Sequence, residues 1–130
     1  MEWQTERHIQ TAERNRAVAL AHLNTQAHSV RPPAYEWAAV IAFYAAVHYV
    51  NAYLWEVRRY EPPDHQSRNL LVRGDPGLRP CQQHYERLLA VGFRARYVPG
   101  FRLLEQGARD LVELDLEAVR RVVRDALGLT

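Results

Sequence analysis

Apolar residues recur at three and four along most of the chain, the spacing of one side of a helix. From about Gln4 to Ala27 the side is made by Ile9, Ala12, Leu20, Leu23 and Ala27, with Arg16 as an interruption. Residues 29–34, with Pro32-Pro33, break this first helix. A second helix is predicted from Pro33 or Ala34 to about Arg59. Its stripe of Trp37, Val40, Ile41, Tyr44, Val47, His48, Asn51, Leu54 and Trp55 is wide enough for the centre of a bundle. Pro62-Pro63 ends it, and Asp64 reads as the N-cap of a short helix through Arg73. Gly74-Asp75-Pro76-Gly77 reads as a turn. A fourth helix follows from about Leu78 to Val91, with Gly92 as a left-handed cap and Phe93 to Gly100 irregular. The stretch from about Phe101 to Leu127 is helical again, with a break near Gly107 or Asp115 and a buried side of Leu111, Val112, Leu116, Val119, Val122, Val123 and Leu127. No run alternates apolar and polar residues with β-branched enrichment, so no sheet is expected. The pattern predicts an all-α fold, an up-and-down bundle of four to five helices forming one domain over residues 1–130.

Composition agrees with a packed domain and narrows its setting. Of 130 residues, 48% are hydrophobic and 25% charged, which excludes a disordered chain. The single cysteine, Cys81, excludes an intrachain disulfide and reads as a packed thiol. The first residues show no basic stretch followed by an apolar run, so no signal peptide is expected and a cytoplasmic location is. Trp37 to Trp55 carries no formal charge and is nominally long enough for a bilayer. It also holds Tyr44, His48, Tyr49, Asn51 and Tyr53, so a central bundle helix is expected rather than a membrane span.

Charge changes the picture more than composition does. All 17 basic residues are arginine. Residues 58–102 hold nine of them against four carboxylates, while the segments on either side carry slightly more acid than base. A guanidinium keeps its charge and grips phosphate through two parallel N–H groups, so this middle segment suits a phosphate-bearing partner. An acidic protein would serve it as well.

The candidate chemistry sits in that segment. On a helix starting after Asp64, Arg68, Asn69 and Arg73 lie about 60°, 40° and 80° from His65. An imidazole that titrates near neutrality can act as base or acid, and guanidiniums can hold a phosphate and the charge that develops on it. His65, Arg68 and Asn69 are therefore the catalytic candidates, with Arg59 and Arg73 as phosphate contacts. In a purely structural role, His65 and Asn69 would help cap the helix and Arg68 would pair with Asp64 or Glu61. Arg94, Arg96 and Tyr97 belong to a segment, Phe93 to Arg102, in which basic and aromatic residues alternate; as a loop it could stack bases and touch phosphates of a single strand. Alternatively, Tyr97 and Phe101 seal the end of the bundle. Tyr44 and His48, one turn apart on the second helix, are candidates for a supporting layer. No Glu-x-x-His pair, glycine-rich phosphate loop, Gly-x-Ser-x-Gly or Cys-x-x-Cys is present, so neither a metal nor another cofactor is expected.

Trp37 to Ala52, followed by Pro63-Asp64-His65-Gln66-Ser67-Arg68-Asn69 and then Ala95-Arg96-Tyr97, resembles the HEPN family over roughly residues 35–125. The resemblance implies a four- or five-helix bundle that commonly forms homodimers. It also implies one of two roles. Many members are metal-independent ribonucleases, some of toxin–antitoxin type, with an arginine, a polar residue and then a histidine, four to six residues standing between the arginine and the histidine. Others are nucleotide-binding or regulatory modules paired with a nucleotidyltransferase or antitoxin. Here Arg68-Asn69 matches the start of the motif and Arg73 stands where the histidine is expected. Arg59 and His65, with five residues between them, give a second spacing of the same kind. RNA or a nucleotide is the expected ligand.

Overall fold

The computed structural model describes residues 1–129, and among them no strand occurs. Helix α1 (Trp3–Asn24) is followed by a 3₁₀ turn (Gln26–Ser29) and by α2 (Glu36–Tyr53), which a π-helical turn (Leu54–Arg58) carries one turn further. Helix α3 spans His65–Gly74. A 3₁₀ turn (Arg79–Cys81) leads into α4 (Gln82–Tyr97). Helix α5 (Glu105–Asp110) runs through a second π-helical turn (Leu111–Asp115) into α6 (Leu116–Ala126). The fold is the expected all-α bundle.

Helix α2 is its axis. Ala38, Ala39, Ala42, Phe43, Ala45, Ala46, Tyr49, Val50 and Ala52 are all fully buried. Alanine leaves room for neighbouring backbones to come close, and α1, α4 and α6 all pack on this one helix. Fully buried Leu23, Leu54, Leu78, Leu88 and Leu116 fill the space between them; truncating one to alanine costs about 2–5 kcal/mol. The helix Glu36–Arg58 is long and apolar enough to cross a membrane, but 78% of its apolar window is buried inside the bundle.

Two boundaries differ from the sequence reading. Helix α4 does not stop at Val91 but continues to Tyr97. Gly92 is not a left-handed cap; a Cβ there would stand 3.1 Å from the Cβ of Phe43. The glycine is present because α4 crosses α2 at that point, and the helix needs no stop there. Phe93 to Tyr97 is accordingly helical, so its basic and aromatic residues are spread round a helix and do not alternate along a loop. At the other end of the chain, the break placed near Gly107 or Asp115 is a π-helical turn inside one continuous rod. The Asp64 cap is as expected, its carboxylate accepting from Ser67 N–H at 2.7 Å.

Asp75 ties the α3–α4 turn to α2. It is buried and accepts from the Tyr53 hydroxyl at 2.8 Å, from Arg58 Nε at 2.8 Å and from Gly77 N–H at 2.9 Å. Arg58 foremost, then Tyr53 and the Gly77 amide, hold its carboxyl below the usual aspartate range against the opposing effect of burial. A depressed carboxyl stabilises the fold at neutral pH and loses that contribution as pH falls through the carboxylate range. Asp75→Ala is expected to cost about 1–3 kcal/mol, because the buried Tyr53 hydroxyl loses its acceptor. In denaturant titrations at pH 7 and pH 3, the gap between wild type and variant should narrow at the lower pH.

Candidate functional site

The N-terminal turn of α3 lies against α2, and three guanidinium and imidazole groups meet there. Arg68 is only 6% exposed. Its Nε donates to Asn51 Oδ1 at 2.9 Å and its Nη1 to His65 Nδ1 at 2.9 Å. It pairs with neither Asp64 nor Glu61, and no carboxylate lies within 4 Å of it among the described residues. The Tyr85 hydroxyl is buried below without a partner in hydrogen-bonding geometry. Burial pushes its phenol up to about 12, with the nearby Arg68 charge pulling the other way.

Arg96 closes the outer side. Its Nε reaches back to the Gly92 carbonyl at 3.2 Å and its Nη1 donates to the Tyr44 hydroxyl at 2.7 Å. The guanidinium carbon stands 5.6, 5.3 and 5.0 Å from the ring centroids of Phe43, Tyr44 and Tyr97. Phe43 in turn lies 5.2 Å from the His65 ring. His65 therefore stands in the field of two guanidiniums. Burial first, then Arg68 and Arg96, press its imidazole below the ordinary histidine range, with Asp64 opposing weakly.

The proton on His65 follows from its partner. A guanidinium only donates, so Nδ1 must accept, and the neutral ring carries its hydrogen on Nε2. That leaves Nε2 as an N–H donor rather than a lone pair.

The other candidates divide between separate places. Asn69 and Arg73 face away from this cluster into a groove of about 590 Å³ between α3 and α4, with Leu89, Phe93 and Arg94. Arg73 is occupied by Glu86 at 2.7 Å, and Asn69 Oδ1 is buried without a partner. Arg59 ends the π-helical turn of α2 in the left-handed region, φ 54°, and pairs with Glu2 at 3.2 Å. His48 points to α1: its Nδ1 lies 3.0 Å from His8 Nδ1, and His8 Nε2 lies 2.5 Å from Glu61. Burial, then His8 and Arg68, lower the His48 pKa. Cys81 is buried, donates to the Leu78 carbonyl, and is pushed up to about 12 by burial.

Asn51, His8, Glu61 and Phe43 take part here without having been singled out for it. Each meets its partner across 17 or more positions of sequence, and only the polar Asn51 on an apolar stripe offered a signal. The positive middle segment also resolves into individuals. Arg58, Arg59, Arg73, Arg87 and Arg102 have carboxylate partners within 4 Å. Arg68, Arg79, Arg94 and Arg96 have none among the described residues. Among the described residues no group of three or more His, Cys, Asp or Glu side chains converges as a metal site would need. No family model matches the chain, and no curated protein matches it in sequence.

Arg96→Gln removes one of the two charges acting on His65 and leaves a shorter, neutral polar side chain in its place. The imidazole should then titrate at a higher pH, which an NMR pH titration of the ring protons reads directly. An unchanged His65 titration would show that burial and Arg68 alone set it.

Proposed function

We propose that the chain is an HEPN-like domain that binds RNA or a nucleotide by its phosphate at the His65–Arg68–Arg96 cluster. The observation that carries this is the buried Arg68 guanidinium without a carboxylate. An ion taken out of water needs an opposite charge or full hydrogen bonding, and an amide, an imidazole and the nearby Tyr85 phenol, all neutral, meet that need poorly. A phosphate arriving at the cluster supplies the missing charge and meets the Nε2–H of His65 and the half-exposed Arg96 on its way.

The same geometry favours holding a phosphate over cutting RNA. Cleavage by an internal 2′-hydroxyl needs a base that takes the hydroxyl proton while the 2′-oxygen attacks phosphorus and the 5′-oxygen leaves. His65 offers an N–H where a lone pair would be required, and the residue at the motif's histidine position, Arg73, is engaged with Glu86. The second reading is an interaction module paired with a nucleotidyltransferase- or antitoxin-type protein. It draws on the groove between α3 and α4, whose Phe93 and Val98 are exposed, with Leu70 of α3 exposed as well.

Labelled single-stranded RNA separates these readings. With metal-free protein we expect salt-sensitive binding, uncut RNA, and a loss of about ten-fold or more in affinity for Arg96→Gln, the size of one charged hydrogen bond. Products with 2′,3′-cyclic phosphate ends, lost in His65→Ala, would establish the ribonuclease. Absence of RNA and nucleotide binding would move the assignment to the protein-partnered module.

A further inference from the structure

The groups assigned to the phosphate are all donors: the guanidiniums of Arg68 and Arg96 and the Nε2–H of His65. In RNA every internal phosphate stands beside a ribose 2′-hydroxyl, which has a hydrogen of its own to place. His48 is positioned to receive it. On α2 it stands between Tyr44, whose hydroxyl accepts from Arg96, and Asn51, whose amide oxygen accepts from Arg68. Spacings of four and three keep the three residues within about 60° of one helix face, with His48 about 6 Å along the axis from Tyr44 and about 4.5 Å from Asn51. Arg68 is near enough for its charge to act on the His48 ring.

The hydrogen on His48 is fixed from a distance. The Glu61 carboxylate only accepts, so His8 Nε2, 2.5 Å away, carries a hydrogen. In a neutral His8 ring Nδ1 is then a lone pair. It lies 3.0 Å from His48 Nδ1, which donates to it. A neutral His48 is left with its lone pair on Nε2, the opposite tautomer to His65. Burial foremost, then His8 and Arg68, hold the His48 ring below the ordinary histidine range and so favour its neutral form, with Glu61 opposing. The ring is partly exposed. Its Nε2 has no partner among the described residues and is not one of the buried atoms left without one, so it keeps surface for a ligand.

We propose that His48 Nε2 accepts a hydrogen bond from the ribose 2′-hydroxyl beside the bound phosphate, and that His8 and Glu61 are positioning residues that keep its lone pair there. The assignment rests on the phosphate reading above and adds to it a preference for ribose over deoxyribose. The hydroxyl keeps its proton in this contact, so the strand stays whole.

The test compares the binding of three labelled oligouridine strands to the full chain at about pH 8, above the ordinary histidine pKa of about 6.5. One strand is RNA. The second carries 2′-fluorine, which keeps an RNA-like sugar shape without a hydroxyl hydrogen, and the third is 2′-deoxy. We expect RNA to bind about three- to ten-fold more tightly than either of the others, the size of one neutral hydrogen bond. In His48→Phe, with its fold checked by circular dichroism, the advantage of RNA over the 2′-fluoro strand should vanish. If that variant does not fold, Glu61→Ala, at the exposed end of the chain of contacts, takes its place and should shrink the same ratio. Equal affinity for RNA and the 2′-fluoro strand overturns the assignment and leaves the phosphate reading standing. An advantage that the folded variant leaves unaltered does the same. If none of the strands binds, the phosphate reading falls and the assignment with it. Nitrogen NMR of the free protein at the same pH reads the tautomer directly: a neutral His48 with its hydrogen on Nε2 overturns the assignment whatever the strands do.

Discussion

Nearly everything in this molecule follows from α2 being enclosed. A helix packed on by α1, α4 and α6 must be small where backbones approach, and its alanines meet that demand. What escapes burial is a single seam of Trp37, Ile41, Tyr44 and His48, spaced four, three and four, the repeat of one helix edge. The polar chemistry gathers along that seam because the rest of the helix is unavailable. Gly92 matters for the same reason. By letting α4 close onto Phe43, it carries Arg96, one turn later, over the rings of Phe43 and Tyr44.

The fold was largely legible in the sequence because helical periodicity and breakers are local signals. The Asp64 cap and the Pro62-Pro63 break could be read from a few residues. Gly92 could not, since a glycine that ends a helix and one that admits a neighbour look alike until the neighbour is known. The same limit applied to the site. Helical spacing put His65, Arg68, Asn69 and Arg73 on one side of α3, and they do share that side. Yet α3 is wedged between α2 and α4, and the boundary between those neighbours splits the four. Arg68 turns to Asn51 while Arg73 turns to Glu86. A helical wheel gives the angles of residues on one helix and is silent on where its packing partners begin.

Charge counting had a similar reach. The arginine excess of the middle segment was visible by inspection, but a segment's net charge does not say which cations are spoken for. In the fold, Asp75, Glu86 and Asp115 claim their arginines for joints between helices. The guanidiniums left over near α2 sit where aromatic rings, an amide and an imidazole surround them. Cations held by neutral, polarisable neighbours keep more of their field for an incoming anion than cations already neutralised by carboxylates.

The π-helical turn at Leu111–Asp115 bears on how chains of this kind can differ. Such a turn holds one residue more than an α-helical turn, while the helices on both sides keep their seats against the bundle. A descendant that lost that residue would keep the same core contacts on either flank with a shorter middle. Two such chains, laid side by side, would match only with a one-position gap inside an unbroken helix. That is the place where a gap is least expected, and so kinship of shape in this rod can outlast any visible kinship of letters.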